Sequence, residues 1–359
     1  MNNTLPMLTL AQMLREQARQ HPARIAIRQK DFGIWQGITW DDYYRRSSHV
    51  GLGLRALGLS AGGHVGVIAE NRIEWVLTQM GCGLVGGIAV GVYPTSPSPE
   101  VAYVLNHADV EVVVCEDQEQ TDKVVEALDQ LPHLRAIVVM ETKGLRSADE
   151  RVRDRILSFA DLETLGVEYE ATHRHLVEQT LAAQRLEDIA LMIYTSGSTG
   201  KPKGAMISNA NIRGVAPGIA DRLGLSADTS HLSYLPLCHV AEQMLTTFCP
   251  IYLGSTVAFG ESIRTVQEDL REIAPTMFLG VPRIWEKLHS AISIKMQESG
   301  ALQRWLFARA MAACAPFAHK AAAQRTAGER LTHAFWYWII LRALQNFIGL
   351  RKAKVALTG

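Results

Sequence analysis

The chain has 359 residues, 48% of them hydrophobic and 20% charged, which excludes a wholly disordered protein. At about 100–200 residues per domain, that length suggests two domains or one large α/β unit. Lys and Arg number 36, as do Asp and Glu, so the basic excess of a nucleic-acid binder is absent and no nucleic-acid partner is expected. A small anion such as phosphate remains a fitting ligand, because a local loop can hold it.

In chain order, Thr9 with Gln12 reads as a capping box, followed by an apolar stripe through Leu10, Met13 and Leu14. His21-Pro22 ends that helix, and 23–27 is a short strand. Thr39 caps a second helix carrying Tyr43, Val50 and Leu54. A regular alternation follows, with strands at 64–69, 88–92, 111–115 and 135–140 and helices at 72–84, 99–106 and 121–131. Near-continuous Val and Ile runs separated by helices are what a parallel sheet covered on both faces requires. Residues 141–188 read as a helical, solvent-exposed connection. The alternation resumes with strands at 189–194, 231–235, 256–259, 276–279 and 354–357. Between the last two, 285–296 is an amphipathic helix and 301–330 is Ala- and Arg-rich and helical.

The fold class expected is α/β: doubly wound, mostly parallel sheets in two α/β subdomains, 1–188 and 189–359. Cys82, Cys115, Cys238, Cys249 and Cys314 are odd in number and scattered. That pattern fits a reducing cytoplasm rather than a disulfide framework or a zinc site. The N-terminus has no basic segment leading into an apolar run, so no secretory signal is read. The longest apolar run, Ala334–Leu341, falls short of the roughly 20 residues of a membrane span. It predicts a buried core helix rather than a membrane-surface anchor.

The most informative segment is Tyr194–Gly204, YTSGSTGKPKG, which follows a buried strand. Glycines let backbone N–H groups turn toward one anion. Hydroxyls add donors and can reach a phosphate-bound magnesium, and lysine supplies a compact charge for phosphate oxygens. The segment reads as a triphosphate-binding loop. It is not a Walker A loop, because Thr195 stands where glycine is needed and Pro202 where Ser or Thr is needed. Nor is it a dinucleotide fingerprint. The near match to that pattern, Gly51-Leu-Gly53, lies inside a helical stretch and lacks the third glycine.

This segment, with AMISNANI after it, resembles the phosphate-loop signature of the AMP-forming adenylate superfamily: acyl-CoA synthetases, luciferases and peptide-synthetase adenylation domains. Ser233–Glu242 (SYLPLCHVAE) and Gly280–Lys287 (GVPRIWEK) resemble segments of its long-chain fatty acid–CoA ligase branch. The resemblance implies an ATP-dependent acid–thiol ligase. A fatty acid carboxylate attacks the α-phosphate of ATP, and the thiol of CoA then displaces AMP. It implies a nucleotide-binding loop of Thr195, Ser196, Gly197, Ser198, Thr199, Gly200, Lys201, Lys203 and Gly204. Within it Thr195 is the magnesium ligand, and Lys203 rather than Lys201 is the stronger phosphate contact. His239 is expected near the acyl carboxylate and the α-phosphate, and Glu242 at the substrate site or in structural pairing. Arg283 is open between a role in function and pairing with helix carboxylates.

The resemblance also implies ATP, Mg2+ and CoA as cofactor and co-substrates and a fatty acid as substrate, with contact at the inner face of a membrane left open. The family's next elements would follow residue 359: the adenine- and ribose-binding segments, the hinge and the small C-terminal domain with its lysine. The chain by itself is therefore expected to be inactive, as a fragment or a truncated relative. The alternatives are a non-catalytic nucleotide- or acyl-binding remnant and a ligase for a shorter or aromatic acid.

Overall fold

The computed structural model describes residues 7–145, 153–195 and 200–358. Two compact units are present, Met1–Asp228 with Ser233–Ser262, and Thr229–Leu232 with Ile263–Gly359. In the first unit the capping box forms as read. The Thr9 hydroxyl accepts from the Gln12 N–H, the Gln12 side chain returns the bond, and the helix Leu10–Gln20 follows. Strands β1 (Ile25–Asp31) and β2 (Ile34–Thr39) then form an antiparallel pair, and Thr39 caps the helix Trp40–Ala56.

The framework of this unit is a seven-stranded sheet. Its strands are β3 (His64–Ile68), β4 (Ile88–Val92), β5 (Val110–Cys115), β6 (Ala136–Val139), β7 (Ile156–Ser158), β8 (Ile189–Thr195) and β9 (Lys203–Ser208). They run in the order β7-β6-β5-β3-β4-β8-β9, and only the β8–β9 pairing is antiparallel. Side chains along the central strands are buried almost without a break and alternate between two cores, as the two-residue period of a pleated sheet requires. Val65, Val67, Val112, Val114, Val138, Leu191 and Ile193 join one apolar core. Ile68, Val90, Val113, Cys115, Ile137, Val139 and Tyr194 join a second. Both faces are covered, so the sheet is doubly wound. β8, which opens the second expected subdomain, pairs with β4 in this sheet.

Four strands remain: β10 (Ser230–Ser233), β11 (Thr256–Phe259), β12 (Met277–Gly280) and β13 (Val355–Thr358). In the first unit β11 runs parallel to β1. In the second unit β12 runs parallel to both β10 and β13. That unit also holds the helices Pro282–Gln297, Ala301–Cys314 and Ala327–Trp336. The last of these continues through a π-helical turn, Tyr337–Leu341, into Arg342–Phe347.

Three expectations are corrected. The stretch 141–188 is not a bare connection. It contributes β7 and the helix Phe159–Thr172, whose Phe159 and Leu162 are buried against Trp40–Ala56. Its strand is three residues long, too short to show a period in sequence. The helical stretch 301–330 is interrupted at Ala315–Phe317 and restarts only where Thr326 caps the next helix. Finally, Ala334–Leu341 is not a buried core helix. Ile340 is buried, but Phe335 is 59% and Trp338 68% exposed. An unbroken apolar run puts apolar side chains on every side of a helix, and the neighbouring helix Ala301–Cys314 covers one side.

Candidate active site

The glycine-rich loop is the connection of a β-hairpin. Thr195 ends β8 directly opposite Lys203, which opens β9, and Tyr194 pairs with Gly204. The sequence reading placed Lys203 and Gly204 at the end of a loop. They are strand residues, so their positions are fixed by ladder hydrogen bonds. Ser196, Gly197, Ser198 and Thr199 lie outside the described residues. Gly200 has φ +128°, a conformation L side chains rarely adopt. Lys201 and Lys203 are exposed, and among the described residues neither is held in an ion pair.

A brace from a helix far earlier in the chain holds the hairpin. The helix Ser98–His107 presents Tyr103 and His107 four residues apart, hence on one face. The Tyr103 hydroxyl donates to the Pro202 carbonyl at 3.1 Å, and the Lys201 ammonium sits 4.9 Å from the Tyr103 ring centre. His107 Nδ1 is hydrogen-bonded to the Tyr194 hydroxyl at 2.7 Å, with the two rings edge to face at 88°. Burial pushes the Tyr194 phenol up to about 12, with Tyr103 and Asp109 adding to the shift, so it stays protonated and polar at neutral pH. Sequence reasoning missed this brace. A Tyr and a His at helical spacing were its only local trace, and their partners lie 87 and 99 positions away.

The second constellation is the turn at His239. Gly91 on β4 lets this turn come close, since a side chain there would meet the Cys238 backbone at 3.0 Å. His239 caps the helix Val240–Gln243, and its Nδ1 accepts from the Ala241 N–H at 3.1 Å. That bond leaves the ring proton of the neutral imidazole on Nε2, which is thereby set as a donor. Glu242 points the other way. It is fully buried, and its Oε1 accepts from the Ser233 hydroxyl at 2.7 Å and the Thr246 hydroxyl at 2.6 Å. Asn71 ties the same turn to the end of β3. It donates to Ser233 Oγ and the Leu235 carbonyl and accepts from the Leu237 N–H. A buried Gln79–Gln243 pair adds a further bond, and Gln243 reaches the Leu237 carbonyl. Ser233 opens the segment 233–242 already singled out, whereas Asn71, Gln79, Gln243 and Thr246 carried no sequence signal beyond their polarity.

The two constellations meet at one pocket of about 400 Å³ outside the carboxyl ends of β4 and β8, the position at which open α/β sheets bind ligands. It is lined by Val92, Tyr93, Ser96, Glu100, Thr195 and His239, among others, with Gly200 and Pro202 at the hairpin side. The structure therefore brings Thr195, Gly200 and His239 together. Glu242 is not on the pocket wall, and Arg283 is an exposed residue of the second unit. Cys238, beneath His239, has its thiol pushed up to about 12 by burial and is chemically quiet.

A mostly parallel, doubly wound sheet with such a hairpin and pocket is the architecture of an adenylate-forming enzyme's large domain, and the chain belongs to the AMP-binding enzyme family, whose sequence model matches residues 14–337. It is 30% identical over 308 residues to a long-chain-fatty-acid–CoA ligase of Xenopus laevis, covering 84% of this chain and 41% of that protein. It is likewise 30% identical over 305 residues to one of Homo sapiens, covering 84% and 44%. The chain thus spans about two fifths of the length of these curated relatives. Among solved structures, a long-chain-fatty-acid–CoA ligase of Archaeoglobus fulgidus shares the fold with a TM-score of 0.65 at 20% identity, over 80% of this chain and 55% of that one.

Proposed function

We propose that the protein activates a long-chain fatty acid with ATP and passes the acyl group to CoA. The observation that carries this reading is the shared pocket, in which the end of the glycine-rich hairpin and an oriented imidazole face one space. In this account the amides and lysines of Thr195–Gly204 hold the β- and γ-phosphates, with Lys203 as the main cation. The Nε2–H of His239 donates to an oxygen of the carboxylate or the α-phosphate. The acid oxygen bonds to the α-phosphorus as the bond to pyrophosphate breaks, and the thiol sulfur then bonds to the acyl carbon as AMP leaves. Charge spreads over phosphate oxygens throughout, so the contribution of these residues is positioning and electrostatic stabilisation.

Among the described residues no cluster of three or more His, Cys, Asp or Glu could cage a metal ion alone. A magnesium ion fits this site as one bound mainly through nucleotide oxygens and water, with the exposed Thr195 hydroxyl as one protein ligand. Glu242 acts as an anchor of the His239 turn rather than as a substrate contact. Five free, buried thiols support a cytoplasmic location.

The test is ATP–pyrophosphate exchange with acids of increasing length, in a protein that joins this chain to the C-terminal part of one of its longer relatives. Each buried methylene offers about 0.8 kcal/mol, so exchange with palmitate should exceed that with acetate or benzoate by a wide margin. A flat profile, or a maximum at acetate or benzoate, would reject the long-chain reading and favour a ligase of another acid.

A further inference from the structure

We infer that Asn71 is a positioning residue for His239: its carboxamide fixes the backbone on both sides of the imidazole and so sets where the Nε2–H points. Asn71 stands between the end of β3 and the helix Ile73–Leu84, at the carboxyl end of the sheet. β10 ends at Ser233 and the next helix opens at Val240, so residues 234–239 belong to no strand or helix and their backbone groups need partners from elsewhere. Asn71 supplies two of them. Its Oδ1 accepts from the Leu237 N–H at 3.1 Å, and its Nδ2 donates to the Leu235 carbonyl at 2.6 Å and to Ser233 Oγ at 2.8 Å. Only the oxygen of a carboxamide can receive an N–H, so this set of partners leaves one orientation of the amide.

The grip reaches past His239 as well as before it. The Ser233 hydroxyl donates onward to Glu242 Oε1 at 2.7 Å, and the Glu242 N–H donates to the His239 carbonyl at 3.1 Å. On the near side Leu237 is held at both backbone groups, its N–H by Asn71 and its carbonyl by Gln243 Nε2 at 2.7 Å. Gln243 cannot turn over, because its Oε1 is taken by Gln79 Nε2 at 2.9 Å and the Thr247 hydroxyl at 2.7 Å. The His239 ring is exposed and, among the described residues, bonds only to the Ala241 N–H of its own turn. The ring is therefore aimed by the backbone that carries it, and Asn71 holds that backbone. The buried side chains of Leu237 and Cys238 keep the segment on the sheet, so losing Asn71 should rotate its peptides rather than unfold it. The catalytic consequence rests on His239 being the donor of the reaction proposed above.

Nitrogen spectra of the 359-residue chain with labelled histidine read the aim directly at about pH 8, where an ordinary imidazole is neutral. His239→Gln assigns its signals among the 12 histidines. In the parent chain His239 should show a protonated Nε2 and an unprotonated Nδ1 with well-separated shifts. In Asn71→Ala the two shifts should move toward each other as the tautomers mix. Asn71→Asp keeps the acceptor for Leu237 and loses both donors, and it should show the same mixing should Asn71→Ala not fold. The second measurement is ATP–pyrophosphate exchange in a protein joining this chain to the C-terminal part of a longer relative. Asn71→Ala should lower the rate about 10–100-fold, the cost of a misplaced catalytic group. With His239 already replaced by Ala, the same change should lower it less than about twofold, because Asn71 acts through that ring. Unchanged His239 signals in both Asn71 variants, or an equal fold-loss in the two backgrounds, would overturn the assignment and leave Asn71 a support of the fold. If the joined protein shows no exchange at all, the ligase reading fails, and the nitrogen spectra decide the role of Asn71 by themselves.

Discussion

Lys203 and Glu242 show how differently two charged residues of one site behave. Lys203 opens β9 with its ammonium unpaired among the described residues, so its charge is available to a polyphosphate. Lys203→Ala should weaken magnesium-ATP binding by about 1.5–3 kcal/mol, the loss of one charge-assisted contact, in a calorimetric titration. Lys201→Ala should cost less, because the Lys201 ammonium already rests over Tyr103. Equal affinities in all three proteins would remove the loop from the site. Glu242 is spent inward on Ser233 and Thr246. Glu242→Ala leaves those hydroxyls without their acceptor, and denaturant unfolding should register a loss of about 1–3 kcal/mol. Affinity for the acid should survive in the folded fraction. Unchanged stability with lost acid affinity would make Glu242 a substrate contact. At this scale the sequence revealed chemistry but not direction. The residue types in 195–204 announced an anion site, whereas nothing local to Glu242 told which way its carboxylate turns.

Among the elements, the β8–β9 hairpin and the helix Ser98–His107 act as a pair. The two hydrogen bonds between them, from Tyr103 to Pro202 and between His107 and Tyr194, hold the loop's exit and entry. Tyr103→Phe removes the first and keeps the ring. Amide exchange at Lys201–Gly204 should then accelerate several-fold, matching the roughly 0.5–1.5 kcal/mol of one hydrogen bond, while the melt moves little. Unaltered exchange would mean that the hairpin needs no brace. The strands of the doubly wound sheet were legible because burial on both faces leaves unbroken Val and Ile runs such as 111–115. β9 was not legible, because none of its residues is buried, with Lys203, Ala205 and Met206 exposed in no two-residue period, and its partner is only a hairpin away. The run Ala334–Leu341 misled for the opposite reason: apolarity alone does not say whether a protein core or another apolar medium covers it.

For the molecule as a whole, buried protonated groups set an alkaline limit. The Tyr194 phenol is raised from 10.0 to about 12, and the Cys115, Cys238 and Cys249 thiols from 9.0 to about 12, chiefly by burial. The unfolded chain releases these protons first, so between 9.0 and about 12 the folded state binds more of them. Their contribution is therefore complete below pH 9.0 and shrinks as pH rises towards about 12. The urea midpoint should fall steadily across that window, and a flat or rising midpoint would contradict the burial described. The central claim is that Thr195–Gly204 and His239 form one nucleotide-phosphate site. Amide resonances recorded while magnesium-ATP is titrated into the chain test it most directly. Thr195, Gly200, Gly204 and His239 should shift together along one binding curve, and Lys203→Ala should move that curve to at least about tenfold higher concentration. The claim fails if those resonances stay still, or if the shifts gather instead around the separate cavity lined by Leu10, Gln79, Gln184 and Asn209.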